Sequence, residues 1–525
     1  MTPSMPASPV LKPVVWTIAG SDSGGGAGIQ ADLATIHDLG CHGCSAITCI
    51  TAQNSVSVTL VEPVSERMLL AQLDALLNDL PPRVIKIGLL VDQKQINTLA
   101  TWLGSALREY QARSGNVVCV ILDPVMVATC GVRFGDGKRG GNRLDFLPFR
   151  GVITLITPNA AELTEFAGRG LTDLSDCHDA AKSLADTLDC SVLAKGGDRG
   201  AVWEAETARD LFVCAEADGS SWVHQHKSFL LSSPRVDSCD THGSGCTLSS
   251  AIASVMASGF VLHDAIMVAK AYVSAGIKQS HRPGKGPGPL ARTGWPHKLN
   301  EFAYISELNS NDPFAEKLKF KTLDERLGVY PVVTELSLLQ ALLEAGAKTV
   351  QLRVKDREDP GLEAKIIEAV RLGRDYHAHV FINDHWELAI KHRAFGVHLG
   401  QEDLYQADLP KIARAGIALG VSSHSFFELL FAAQLSPSYI ALGHIFATTT
   451  KVMPSQPQGL NKLSHYVALL KGQYPLVAIG GIDLNRIAAV KQTRVDDIAV
   501  VRAVTEADDP IAAYRSLVDA WESEG

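Results

Sequence analysis

The 279 residues after Cys246 contain no cysteine, although ten cysteines lie between Cys41 and Cys246. A disulfide framework would not be confined to one part of a chain, and Cys41-x-x-Cys44 lacks the second ligand pair of a zinc site. The pattern points to reduced thiols in a cytoplasmic protein, most of them core filler. No apolar run approaches the length of a membrane span. The first dozen residues are rich in Pro and Ser, carry Lys12 as their one charge and lack an apolar signal core, so residues 1–13 read as a frayed tail. Positive charge is in deficit: a net charge of −9 and the lack of a basic, aromatic-laced stripe argue against general nucleic-acid binding. What remains is ordinary for a soluble globular protein, and 525 residues are too many for one core.

The chain is organised around Asp240-Thr241-His242-Gly243-Ser244-Gly245-Cys246. Leu248, Ile252, Val255 and Gly259 follow at helical spacing, so Gly243 to Cys246 should open a helix with an apolar inner face. Small residues at a helix N-terminus let backbone N–H groups close on an anion, which is what phosphoryl transfer needs. A thiol at such a place is expected to have a lowered pKa. The other reading is a plain glycine-rich turn before a core helix. Upstream, the strand pattern Val14–Ala19 runs into Gly20-Ser21-Asp22-Ser23-Gly24-Gly25-Gly26-Ala27-Gly28. That spacing is neither a dinucleotide fingerprint nor a P-loop, so these glycines suit close backbone approach to a small substrate. Further strand patterns lie at Ala46–Thr51, Val84–Gly88, Val117–Leu122, Val152–Ile156 and Val192–Gly197, and Asp264–Ile277 reads as a helix. Their alternation predicts a doubly wound α/β sheet with ligand at the strand C-termini.

Thr241 to Cys246 and the run Gly20 to Leu33 resemble motifs of the hydroxymethylpyrimidine kinase/phosphomethylpyrimidine kinase family, a ribokinase-like branch with Cys where most relatives carry Asp. The resemblance covers residues 14–290. It implies ATP as phosphoryl donor, Mg²⁺, and a homo-oligomer formed through this domain. Asp32 and Gln53 would hold the pyrimidine, with Leu89 and Val125 along its faces. Gly243, Gly245 and Cys246 would be catalytic, Cys246 as base or polariser of the attacking oxygen. Asn159 and Glu162 would organise Mg²⁺, although Asn and Glu three apart also make a helix cap. Lys195 would contact nucleotide or substrate. The family's Lys-Ser-Gly is replaced by Thr129-Cys130-Gly131, and a Gly/Arg-rich segment with Arg133, Lys138 and Arg139 follows, read either as a cover for phosphates or as a solvated loop.

Residues 283–326 are rich in Gly, Pro, Asn and charge, so the linker, set at 291–324, and a lead-in helix fall there. From 325 to 525 one unit recurs eight times, with strands at Val329–Thr334, Thr349–Arg353, Val380–Asn383, Gly396–Leu399, Ile417–Val421, Tyr439–Ile445, Leu476–Ile479 and Asp497–Val501. Eight such units predict a (β/α)8 TIM barrel, whose chemistry sits where strands end. Gln351, Arg353 and Lys355 share one side by the two-residue strand period. Asn383-Asp384, Asp403, Ser422, Lys451 and Gly480-Gly481 lie at other strand ends. Two carboxylates, three cations and an amide at one mouth suit Mg²⁺-pyrophosphate.

These strand ends resemble thiamine-phosphate synthase. The resemblance implies Mg²⁺ on Asp384 and Asp403, and a diphosphate substrate on Gln351, Arg353, Lys355, Asn383, Ser422 and Lys451, with Ser422 also catalytic. Thr448, Thr450, Gly481 and Val501 would bind thiazole phosphate. Together the halves imply two successive phosphorylations of 4-amino-5-hydroxymethyl-2-methylpyrimidine, then coupling of the diphosphate to 4-methyl-5-(2-phosphoethyl)thiazole. Two other readings stay open: a vitamin kinase of other specificity, such as for pyridoxal, and a barrel that binds phosphate without catalysis or acts as a thiazole tautomerase.

Overall fold

The computed structural model describes residues 12–126, 144–197, 207–215, 227–308, 318–448 and 456–523. They form two compact units, one holding the described residues through Pro296 together with 300–308, the other His297–Leu299 and the described residues from 318 on.

In the first unit a ten-stranded sheet is built from β1 (Val14–Asp22), β2 (His42–Gln53), β3 (Val58–Pro63), β4 (Val84–Ile87), β5 (Cys119–Leu122), β6 (Leu155–Ile156), β7 (Ser191–Gly196), β8 (Thr207–Val213), β9 (Ser228–Pro234) and β10 (Tyr304–Ser306). The order is β10-β9-β8-β7-β6-β5-β4-β1-β2-β3. Strands β2, β1, β4, β5, β6 and β7 run parallel, and the outer strands pair antiparallel. Both faces of the parallel part are covered, which is why Val84, Ile85 and Ile87 of β4 are all buried. β1 pairs β2 on one side and β4 on the other, so the strand order reverses at β1 and opens a crevice at its C-terminal end. The glycine loop after β1 begins there.

Most strands fall where the apolar runs place them. β5 starts at Cys119 rather than Val117, which is 81% exposed. The linker region is less loose than its composition suggests: Tyr304–Ser306 pairs with β9 as an edge strand. Among its described residues no α-helix leads into the barrel; a single 3-10 turn stands at Leu299–Glu301. The nine described cysteines are all free, and six are buried.

The second unit is a closed barrel of eight parallel strands: β11 (Val329–Val333), β12 (Thr349–Leu352), β13 (His379–Asn383), β14 (Gly396–Leu399), β15 (Ala418–Ser423), β16 (Tyr439–Gly443), β17 (Leu476–Ile479) and β18 (Asp497–Val500). β18 closes on β11 through Val329 opposite Ile498. The interior is filled by Tyr330, Phe381 and Tyr439 against small residues such as Ala418, Ala441 and Ala499. Large rings need small partners on facing strands. A Cβ at Gly420 would lie 2.2 Å from the Tyr439 ring.

Candidate active sites

In the first unit, Gly243 caps the helix Ser244–Ala257 in a left-handed conformation, φ 74°. A side chain there is excluded twice, since a Cβ would also sit 2.0 Å from the Gly26 carbonyl oxygen. A Cβ on Gly26 would strike His242, and Gly28, at φ 55°, passes under the Gly20 carbonyl. The two glycine segments are therefore in backbone contact. Asp22 ties them: its carboxylate accepts from the N–H groups of Gly24, Gly26 and Ala27 and lies 3.3 Å from His242 Nε2. Burial would raise the Asp22 pKa, but these donors lower it on balance. Asp240 adds a second clamp, accepting from Arg282 Nε and Gly288 N.

Gly245 faces a charged pair. Lys195 Nζ donates to Asp123 Oδ1 at 2.7 Å, and a Cβ on Gly245 would come within 3.2 Å of Nζ and 3.5 Å of Asp123 Oδ2. Asp123, just beyond β5, also accepts from Thr157 Oγ1 at 3.1 Å. Burial opposes its charge, yet Lys195 and Lys86 hold the carboxyl below the usual range. Glu162 caps its own helix: Asn159 Oδ1 takes the Glu162 N–H at 2.9 Å and Glu162 Oε2 takes the Asn159 N–H at 2.7 Å. The capping alternative is thus realised. Burial, helped by the Asp123 charge and opposed by Lys195, pushes the Glu162 carboxyl up to about 7.

Two expectations change. The Cys246 thiol is pushed up to about 11, not down, because burial outweighs the nearby Lys86 ammonium and the Asp32 and Asp123 charges add to it. Asp32 is fully buried and saturated: it takes Lys86 Nζ at 2.8 Å and accepts from Thr17 Oγ1 and Ser250 Oγ. Such a carboxylate has no face to offer a pyrimidine directly. Lys86 was missed by sequence reasoning, although a lysine inside the apolar run Val84–Ile87 is itself a signal. Gln53 ends β2, with its side-chain oxygen 3.4 Å from Thr51 Oγ1. Leu89 lies beside Gly20, and Val125 follows Asp123 with its N–H on the Asp123 carbonyl. Residues 127–143, with the Gly/Arg-rich segment, lie outside the described residues.

In the barrel, Asp384 and Asp403 meet. Burial together with the charge and hydrogen bond of Asp403 pushes the Asp384 carboxyl up to about 6, against the pull of Arg353 and His385. Asp384 sits at φ 62°, a strained conformation for a non-glycine residue that turns it out of line with β13. Arg357, unnoticed in the sequence, donates to Asp403 Oδ1 at 2.8 Å. β12 ends at Leu352, so the strand alternation does not carry on to Lys355, which is exposed in the following loop. Gln351 points into the barrel, where its Nε2 donates to Tyr330 Oη at 3.0 Å. Asn383 is buried at the end of β13. Ser422 Oγ lies 2.8 Å from His398 Nε2. Gly481, at φ 65°, would carry a Cβ 2.8 Å from the Ala447 carbonyl oxygen, so only glycine lets these loops meet. Thr448 is half-buried beyond β16, and Val501 caps the short helix Arg502–Thr505. Thr450 and Lys451 lie outside the described residues. Among the described residues no group of three or more His, Cys, Asp or Glu could hold a metal, and no helix is long and apolar enough to cross a membrane.

The comparisons agree with this division. The phosphomethylpyrimidine kinase family model matches residues 22–291, and the thiamine monophosphate synthase model matches residues 329–504. Thiamine-phosphate synthase of Salmonella dublin is 55% identical over 200 residues, 38% of this chain and 94% of that protein. The enzyme of Pectobacterium atrosepticum is 55% identical over 203 residues, 39% of this chain and 95% of that protein. A crystal structure of phosphomethylpyrimidine kinase from Clostridium difficile is 29% identical, with a TM-score of 0.39, over 50% of this chain and 98% of that one. A ribokinase-like sheet with its glycine-lined crevice and a TIM barrel with facing carboxyls are thus joined in one transferase of thiamine biosynthesis, and the chain belongs to the phosphomethylpyrimidine kinase family through its first half and to the thiamine-phosphate synthase family through its second.

Proposed function

We propose that the first unit phosphorylates 4-amino-5-hydroxymethyl-2-methylpyrimidine and then its monophosphate with ATP, and that the second couples the resulting diphosphate to 4-methyl-5-(2-phosphoethyl)thiazole, forming thiamine phosphate and pyrophosphate. One observation supports this most: at the C-terminal ends of its parallel strands each unit gathers paired carboxylates with cations, at Asp123, Glu162 and Lys195 in one and at Asp384, Asp403 and Arg353 in the other. One assay with the pyrimidine alcohol, ATP, Mg²⁺ and the thiazole phosphate, following thiamine phosphate, tests it; no product would defeat it.

In the kinase, the N–H groups opening the helix at Gly243 to Cys246 receive the transferring phosphoryl, with Lys195 alongside. Gln53 would read the pyrimidine, between Leu89 and Val125. Asp32 holds Lys86 beneath the site and acts through it. With its thiol at about 11, Cys246 is neutral at pH 7 and supplies a polar hydrogen-bonding edge instead of a thiolate base. Cys246→Ser is therefore expected to keep kcat within about tenfold, with no pH limb between about 6 and 9 assignable to the thiol. A loss of more than about a hundredfold in steady-state kinase assays would restore the thiolate base.

The donor chemistry fits Mg²⁺ in both units: two carboxyls share each site, one of them paired with a cation (Asp123 with Lys195, Asp403 with Arg357) and the other pushed toward neutrality. Asp384 and Asp403 would hold it in the barrel, and Asn159 and Glu162 would organise it in the kinase. When bound, Mg²⁺ neutralises phosphate charge. In the barrel Arg353, Lys355, Asn383 and Lys451 would hold the leaving pyrophosphate, and Thr448, Thr450, Gly481 and Val501 the thiazole phosphate. The electron-rich aminopyrimidine supports a methyl cation, so the chain's task is to hold the leaving group and exclude water.

The raised Asp384 pKa gives a pH signature. A proton must leave before a metal binds, so Mg²⁺ affinity by calorimetry should weaken about tenfold per unit below about pH 6. A carboxyl raised on folding adds stability below its unfolded value of about 4, and loses it as pH rises through about 6. The metal-free thermal midpoint should fall across that window, and Asp384→Asn should flatten the slope. An unchanged slope in the variant would contradict the assignment.

A further inference from the structure

In the barrel core a continuous chain of hydrogen bonds joins Gln351 to Ser422 through Tyr330, Tyr439 and His398, three residues that the roles above do not use. Gln351 Nε2 donates to Tyr330 Oη at 3.0 Å, and Tyr330 Oη lies 3.0 Å from Tyr439 Oη. Tyr439 Oη lies 2.7 Å from His398 Nδ1, and His398 Nε2 lies 2.8 Å from Ser422 Oγ. Gln351, Tyr330, Tyr439 and His398 are all buried. Gly420 keeps the place of the Tyr439 hydroxyl open, since a Cβ there would lie 2.4 Å from Oη.

A buried chain of this kind has a direction. Each hydroxyl has one proton, so once the Gln351 amide donates, Tyr330 must donate to Tyr439 and Tyr439 to His398 Nδ1. His398 then carries its proton on Nε2 and gives it to Ser422 Oγ. Reversing one link alone would set two donors or two lone pairs face to face among buried groups, which costs as much as an unmade buried hydrogen bond. His398 is neutral in this arrangement, since an Nδ1 that accepts from Tyr439 carries no proton of its own. The far ends are then defined: Ser422 keeps its own O–H to donate, and Gln351 keeps its carbonyl oxygen to accept.

We infer that Tyr330, Tyr439 and His398 are positioning residues of the synthase, locking His398 as the Nε2–H tautomer so that Ser422 presents a hydroxyl proton, and Gln351 a carbonyl, to the aminopyrimidine. The inference rests on the synthase reading of the barrel and adds its specificity. An aminopyrimidine offers an N–H donor beside a ring-nitrogen acceptor and matches these ends. The 4-oxo analogue has the opposite pattern and does not.

The test uses the full chain and Tyr439→Phe, which keeps the ring packed and removes the link. Nitrogen-15 NMR of histidine-labelled protein should show His398 as Nε2–H in the unaltered chain and a mixture of tautomers in Tyr439→Phe. The variant should raise KM for the pyrimidine diphosphate about tenfold, leave KM for the thiazole phosphate within about twofold, and lower discrimination against the 4-oxo diphosphate about tenfold. Tyr330→Phe, one link further away, should act in the same direction and carries the test if Tyr439→Phe does not fold. An Nδ1–H tautomer in the unaltered chain, or full discrimination in the folded variants, overturns the inference. Failure of the underlying reading looks different: the unaltered chain would form no thiamine phosphate from the pyrimidine diphosphate and the thiazole phosphate, whatever the His398 tautomer.

Discussion

Replacing Asp384 by Ala is expected to lower thiamine phosphate formation by at least about a thousandfold while both phosphorylation steps stay within about twofold. Asp384 is the half of the facing pair whose carboxyl is pushed up to about 6 by burial and by Asp403. It lies just past the end of β13, between Asn383 and His385, with a left-handed backbone. Removing it leaves Asp403 held by Arg357, an arrangement with one acid and one cation that no longer concentrates negative charge for a divalent ion. The kinase residues lie in a separately folded unit with its own core, which is why they should be indifferent. Coupled assays of each step on one preparation decide the matter. Loss of all activities would mean that the sites are not independent, and a retained synthase would remove Asp384 from the metal site.

The second large effect concerns stability. Lys86→Met should destabilise the kinase unit by about 3–5 kcal/mol, because it leaves the Asp32 carboxylate buried without its cation. Burial alone would depress the Lys86 ammonium, but the Asp32 carboxylate, helped by Asp123, shifts it upward. The pair therefore stands or falls together. The double variant Lys86→Met with Asp32→Asn should recover most of the loss, since Thr17 and Ser250 still reach the side chain at 32. Hydrogen exchange at the β1 and β4 amides isolates this unit from the barrel. A single variant losing less than about 1 kcal/mol, or a double variant no better than the single, would show that the buried pair is not what holds β4 against the helix Gly28–Asp38.

Lys86 also shows how far sequence reading reaches. The run Val84–Ile87 was legible as a buried strand because a strand covered on both faces reads as continuous apolar residues, but the lysine inside it went unread, its partner lying 54 positions away. The barrel was legible for a similar reason, since eight apolar runs at steady spacing leave few other ways to bury themselves. Edge strand β10 was not, because three residues of an antiparallel edge inside a Gly- and Pro-rich region carry no period of their own. Tyr330 and Tyr439 were not singled out, since their link to His398 depends on which strands face each other across the barrel.

The sequence alone determined the two-unit plan, the element types and the residue types gathered at strand ends, because period, glycine placement and apolar content are local properties of the chain. Only the tertiary structure decided the protonation of those residues. The Cys246 thiol rises where a helix N-terminus by itself would lower it, Glu162 and Asp384 move toward neutrality, and Asp32 turns inward to Lys86. Each outcome balances desolvation against particular neighbours, and neighbours distant along the chain exist only once it has folded.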